Sequence, residues 1–289
     1  MRRNNPPISI IIPCYNHGAY LMEAIDSLLA STFRDFEIIV VDDGSDEVET
    51  IKVLSEINCP KTRVIHQENR GLSAARNCGI SLSSGEYILC LDADDMITPT
   101  LLEKSFHVLE SCPETGVVST PPQHFGDQDY IWKPIPFSFY QLLRENLLHA
   151  SCLFRRDIWK AVGGYDENMQ AGCEDWEFWI RVAKAGWKFA RIDEPLFLYR
   201  KHGKSRDSGA QKRRQEIFSY IQRKHSDLYA PSKQMALFKV WLVDTLKAGQ
   251  YVVLLIGLLR CSLPYRLRAA LFDFYQMLSQ KVVHRTKKI

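Results

Sequence analysis

Branched apolar runs and amphipathic stretches alternate along the first hundred residues, and this alternation restricts the fold more than any other feature. Residues 8–12 (ISIII) form a continuous run suited to a strand buried on both faces. Residues 19–31 (AYLMEAIDSLLAS) instead place Leu21, Ala24, Ile25, Leu28 and Leu29 on one helical stripe. Residues 36–43 (FEIIVVDD) repeat the strand, Ser45 stands where it can cap a helix over about 46–57, and 62–67 (TRVIHQ) read as a further strand. A helix over 72–84 runs up to Gly85, whose missing side chain suits a left-handed cap. Residues 87–92 (YILCLD) form the next strand, and Thr98-Pro99 supply an N-cap and first-turn proline for a helix to about 110. The order β-α-β-α-β-α-β-α predicts an α/β fold, a mostly parallel sheet flanked by helices.

The pattern loosens afterwards. Residues 121–136 mix proline, aromatics and turn formers and read as a loop over the sheet edge, with a helix over 139–150 behind it. A strand at 151–156, a short helix ended by Gly163-Gly164, and a helix within 171–187 complete the regular part. That last helix carries a stripe of Trp176, Trp179, Ile180 and Ala183, with Gly186 beyond its end. A division follows: a first domain over 1–210, with halves of about 7–120 and 121–210, and a helical C-terminal extension over 211–289.

With 289 residues and 46% hydrophobic content the chain can bury a sizeable core. A net charge of +3 is too small to call for nucleic acid, but residues 200–289 hold 19 Lys/Arg against 5 Asp/Glu. Eight cysteines without a CxxC pair read as reduced thiols of a cytoplasmic protein. The apolar run at 8–12 is broken at Pro13, which speaks against a signal peptide, and the run at 251–259 falls short of the ~20 residues a membrane helix needs. The basic, apolar-striped C-terminal helices fit two uses: peripheral contact with the inner face of the cell membrane, or packing on the first domain or on another subunit of a homo-oligomer.

Carboxylates gather where the strands end. In a parallel α/β sheet ligands bind beyond the carboxyl ends of the strands, and Asp42/Asp43 and Asp92/Asp94 both close strands there. Asp92 and Asp94, two residues apart, share a side of an extended strand and can converge on one hard divalent cation, Mg²⁺ or Mn²⁺, beneath a diphosphate. A solvated turn or an acidic helix cap explains the same residues without a metal.

Six segments in order, IIIPCYNHGAYL, IIVVDDGS, ENRGLSAARNCGI, GEYILCLDADD, VGGYDE and EDWEFWIRVAKAG, resemble glycosyltransferase family 2, the inverting enzymes of GT-A fold. The resemblance covers roughly residues 7–206. It implies a GT-A, Rossmann-like sheet, a nucleotide-sugar donor, most simply a UDP-sugar, a divalent metal under the diphosphate, and transfer to an acceptor hydroxyl of a cell-surface or lipid-linked glycan. By resemblance Pro13 and Tyr15 clamp the nucleobase and Asp43 accepts the uracil imide hydrogen. Asn69 and Arg76 contact the nucleotide and its phosphates. Asp92 faces the ribose and a metal-bound water, Asp94 ligates the metal, and His202 is a third ligand. Asp175 is the catalytic base, with Glu174 beside it at a helix N-terminus where capping would also account for both. Lys201, Lys204, Ser205 and Arg206 form a loop able to hold diphosphate. The competing functions are a sugar-nucleotide pyrophosphorylase, whose glycine-rich N-terminal phosphate loop is not found here, and a non-catalytic nucleotide-sugar-binding subunit, against which Asp94 and Asp175 both stand.

Overall fold

A computed structural model describes residues 6–132, 135–203 and 213–247. The chain divides into two compact units, one of residues 1–131 and 148–221, the other of 132–147 and 222–289.

The first unit opens with the expected alternation: β1 (Ile8–Cys14), α1 (Gly18–Leu29), β2 (Phe36–Asp42), α2 (Val48–Glu56), β3 (Thr62–His66), α3 (Leu72–Leu82) and β4 (Tyr87–Cys90). β5 (Met96–Ile97), α4 (Leu101–Ser111), β6 (Thr115–Ser119), β7 (Pro122–Gly126) and β8 (Tyr130–Ile131) follow. In the second unit lie α5 (Phe139–Leu142), α9 (Ser226–Tyr229) and α10 (Pro231–Lys247). β9 (Leu153–Arg155), α6 (Arg156–Val162), α7 (Glu174–Lys184), β10 (Lys188–Arg191) and β11 (Phe197–Lys201) return to the first unit, where α8 (Arg214–Lys224) begins.

Seven strands make the main sheet in the order β10-β6-β9-β4-β1-β2-β3, parallel throughout except for β9. β1 lies inside the sheet between β4 and β2 with all seven residues buried, which is why its sequence is an unbroken apolar run. Its odd residues face β4, as Leu91 N–H to Ile11 O shows, and its even residues face β2, as Asp43 N–H to Cys14 O shows. The β1–β4 ladder ends at the pair Ile11 and Cys90, so the missing N–H of Pro13 costs no ladder bond. A proline can therefore end a central strand.

A second sheet of four strands, β5-β11-β7-β8, corrects the expected loop at 121–136. β7 pairs in parallel with β11, about seventy-five residues on, and antiparallel with β8. Gly126 closes β7 with φ +90, and a Cβ there would stand 2.5 Å from the Lys201 carbonyl oxygen.

Local signals fail in four further places, and at the first three a tertiary contact takes the place of the expected local one. Ser45 does not cap α2; its hydroxyl accepts the Asn16 N–H at 3.1 Å, and Glu47 takes the N-cap position. Gly85 is not left-handed: a Cβ would lie 2.6 Å from Ser9 Oγ and 2.7 Å from Ser9 N, so closeness to β1 requires glycine there. Thr100, rather than Thr98, precedes α4, while Pro99 offers its carbonyl to Thr32 N–H at 2.8 Å. The helix expected over 139–150 is regular only over Phe139–Leu142.

Candidate active site

The carboxyl ends of β1, β2 and β4 build the floor of the site. Asn16, in the left-handed region at φ 56, turns the chain out of β1, and its amide receives the Asp46 and Glu47 N–H groups at 3.0 and 3.1 Å. That turn leaves Pro13 buried and Tyr15 45% exposed, so Tyr15 is not a core residue.

Asp42 and Asp43, both buried at the end of β2, divide their work. Asp42 accepts Ser45 N–H at 3.0 Å and faces His66 Nδ1 at 2.9 Å. Asp43 accepts Gln67 Nε2 at 2.7 Å, Arg70 N–H at 2.9 Å and Gly71 N–H at 2.8 Å, and so shapes the loop that leads into α3. Asn69 is exposed on that loop, its backbone so close to Gly44 that a Cβ on Gly44 would meet Asn69 N at 2.7 Å.

Arg76 differs most from its sequence reading. It is 1% exposed, so it is neither a surface residue nor turned outward to a phosphate. Its Nη1 donates to Glu174 Oε1 at 2.5 Å and its Nη2 to Asp92 Oδ1 at 2.6 Å. Burial alone would push the guanidinium towards losing its proton, but these two carboxylates outweigh burial and hold its pKa well above the ordinary value. The triad ties the first turn of α7 to the turn after β4.

That turn contains the three acids. The strand ends at Cys90, and Asp95 N–H donates to Asp92 O at 3.0 Å, so Asp92 and Asp94 lie in a tight turn rather than on one side of a strand. Asp92 goes to Arg76, while Asp94 Oδ2 lies 2.9 Å from His202 Nε2. Among the described residues no three His, Cys, Asp or Glu side chains gather as a metal cluster. The expected trio of Asp92, Asp94 and His202 is thus a pair, because Arg76 draws Asp92 aside.

β11 fixes the turn from above through Arg200, which the sequence reading passed over. Arg200 N–H donates to Asp95 Oδ1 at 2.9 Å, its Nε to Asp94 O at 2.8 Å, and its Nη2 to Glu23 at 2.7 Å. Its guanidinium lies 4.8 and 4.5 Å from the ring centres of Tyr20 and Phe125. Asp95, buried, has its pKa pushed well up by desolvation and by its neighbours Asp94 and Asp92. His202 stacks on Tyr20 at 5.2 Å. Lys201 ends β11 with its ammonium 4.5 Å from the Tyr199 ring; Lys204, Ser205 and Arg206 lie outside the described residues.

On the other side of the triad, Gly172 (φ 106) and Cys173 (φ 60) turn the chain into α7. Glu174 is buried, and half-buried Asp175 follows it, its Oδ1 accepting Trp176 N–H at 2.8 Å. Trp176, Phe178, Trp179, Ile180 and Val182 are buried and fix the helix against the unit.

The mostly parallel sheet flanked by helices, with the acidic turn, the exposed aromatic and the carboxylate-bearing helix start at its strand ends, has the GT-A fold of its solved neighbours. The profile of Glycosyl transferase family 2 matches residues 9–162, more than half of the chain, and the chain belongs to that family. It is similar to an uncharacterised glycosyltransferase of Rickettsia prowazekii, 32% identical over 226 residues, covering 73% of this chain and 68% of the relative. Among solved structures, S. aureus TarS residues 1–349 in complex with UDP-GlcNAc matches with TM-score 0.57 and 21% identity over 70% of this chain and 60% of that one. A mannosyltransferase of Pyrobaculum calidifontis in complex with GDP-Man and Mn²⁺ matches with TM-score 0.62 and 18% identity over 98% of this chain and 83% of that one. At such identities the likeness to solved structures is one of fold.

Proposed function

We propose that the chain is an inverting glycosyltransferase that moves a sugar from a UDP-sugar to an acceptor hydroxyl of a cell-surface or lipid-linked glycan. The observation that carries this is the Glu174–Arg76–Asp92 triad, which holds the carboxylate-bearing start of α7 against the acidic turn after β4.

Tyr15, exposed at the end of β1, offers its ring to the nucleobase, with Pro13 two residues before it and Asn69 exposed on the loop that leads into α3. Asp43 uses three acceptor sites on the loop that leads into α3, and a carboxylate has about four, which leaves one for a base N–H. Arg76 acts as a positioning residue: it holds Asp92 and orients Glu174. Asp175 takes the proton from the acceptor hydroxyl as that oxygen attacks the anomeric carbon and the nucleotide diphosphate departs from the opposite face. A helix N-terminus favours negative charge at that place.

Asp94 fits Mn²⁺ or Mg²⁺ by donor type, a carboxylate oxygen, and the imidazole nitrogen of His202 beside it suits the transition metal Mn²⁺ better than Mg²⁺; the two side chains are partly exposed, at 18% and 16%. A bound ion would neutralise charge on the departing diphosphate. Two protein donors match the habit of such ions of keeping water and phosphate as further ligands. The complexes of the solved neighbours with UDP-GlcNAc, and with GDP-Man and Mn²⁺, support a nucleotide-sugar donor and a metal here.

The test is single-turnover transfer from labelled nucleotide sugars with Mn²⁺ or Mg²⁺, together with UDP affinity. Asp175→Asn keeps the volume and should lower transfer by about 10²–10⁴-fold with UDP affinity near wild type. Full transfer by Asp175→Asn would remove the base assignment. A wild type that binds UDP but transfers to no acceptor would favour a non-catalytic binding subunit.

A further inference from the structure

Helix α10 has one packed face and one that stands in solvent with the wrong composition for water. Gln234, Phe238, Trp241 and Thr245 recur at i, i+4, i+7 and i+11, the spacing of a single stripe. The rings of Phe238 and Trp241 lie 5.4 and 5.5 Å from that of Tyr140 on α5, and Arg144 Nη2 donates to Gln234 Oε1 at 2.7 Å. That stripe is the packing seam. Around the helix from it, Met235, Val240, Val243 and Leu246 are 55, 60, 46 and 44% exposed. Lys233, Lys239 and Lys247 are exposed on the same side, with Asp244 at its margin. Exposed apolar side chains interleaved with lysines along one side of a helix call for an occupant, and the lysines say which kind.

We propose that this face of α10 lies on an anionic lipid surface, with the four apolar side chains at the headgroup boundary and the lysines against the lipid charges. Charge decides among the occupants. A second copy docked face to face would set the three lysines against the same three. The 42 residues that follow α10, 248–289, carry seven Lys/Arg against one Asp, so they too would bring like charge to the face. An anionic bilayer complements both the helix and the residues after it. No helix among the described residues is long and apolar enough to cross a membrane, so the contact described is one of lying on the surface.

The test uses the full-length chain in co-sedimentation with vesicles of phosphatidylcholine alone and of phosphatidylcholine with phosphatidylserine, at low and high salt. Binding is expected to the anionic vesicles and to weaken with salt. Each lysine near such a surface is worth on the order of a fivefold factor in partitioning, so Lys239→Glu with Lys247→Glu should weaken binding well over tenfold. Val240→Ser with Val243→Ser should weaken it at every salt concentration, since burial of apolar surface is not screened. All four positions are exposed, and circular dichroism of each variant verifies folding. Vesicle binding that neither pair of substitutions weakens overturns the proposal, as does equal binding to both vesicle types or none to either. A wild-type dimer in sedimentation equilibrium that Val240→Ser with Val243→Ser converts to monomer, without anionic vesicle binding, would make the face an interface between copies.

Discussion

At the scale of single residues, Arg76 carries the most physics. A guanidinium 1% exposed is tolerated because two carboxylates reach it, and removing one leaves a buried charge short of its partner. Glu174 is 7% exposed at its side chain, so it has no water to fall back on either. Glu174→Gln is therefore not the mild change that a helix-capping role would make it. We expect it to lower unfolding free energy by about 3 kcal/mol or more in urea denaturation, the range for breaking a buried pair. Arg76→Met with Glu174→Gln should cost less than the sum of the two single changes, because the double variant removes both buried charges. A Glu174→Gln variant as stable as wild type would show that the triad's coupling is slight.

At the scale of elements, what the sequence showed and what it hid divide along the range of the interactions. β1, β2 and β4 announce themselves because a strand buried on both faces must be apolar throughout, and α1 and α7 because a stripe repeats every turn. β7 has five residues, one of them proline and one glycine, and becomes a strand by pairing with β11. No local pattern encodes that partner. The acids at the strand ends were equally legible as types, yet their division was not: which of Asp92 and Asp94 meets Arg76 and which meets His202 depends on α3, α7 and β11 arriving from three parts of the chain. Arg200 was missed for the same reason, since alternation along β11 marks it only as one half-buried residue of a strand. Its hold on the Asp94 carbonyl and on Glu23 makes β11 the element that sets the spacing of Asp94 and His202. On the proposed binding of Mn²⁺ by Asp94 and His202, Arg200→Ala should weaken Mn²⁺-dependent UDP binding by about 10–100-fold in calorimetry, the usual cost of losing an outer support of a metal ligand. UDP affinity in the presence of chelator should be the same as that of wild type; a loss of equal size there would mean that Arg200 only supports the fold.

At the scale of the whole first unit, the two sheets are joined at a residue whose proton matters. His149 Nε2 lies 2.9 Å from the Thr120 carbonyl just beyond β6, and its ring stacks 4.3 Å from Phe197 on β11. A carbonyl only accepts, so Nε2 carries the proton and donates, and Nδ1 is left buried without a partner. Charging the ring would place an N–H at Nδ1 with nothing to receive it. Burial accordingly pushes the His149 pKa down from 6.5 to about 4. The unfolded chain takes up a proton below pH 6.5, whereas the folded one does not until about pH 4. Between these values the unfolded state binds more protons, so stability rises with pH and falls as pH is lowered through the window. Across it the loss from this one residue amounts to about 3 kcal/mol. His149→Gln keeps an N–H donor for Thr120 but has no proton to gain, and its stability should vary by that much less over the same range, even if its stability at neutral pH is lower. Urea denaturation of both proteins at pH 7, 6, 5 and 4.5 measures the difference, and parallel curves for the two would show that the join between the sheets does not resist protonation.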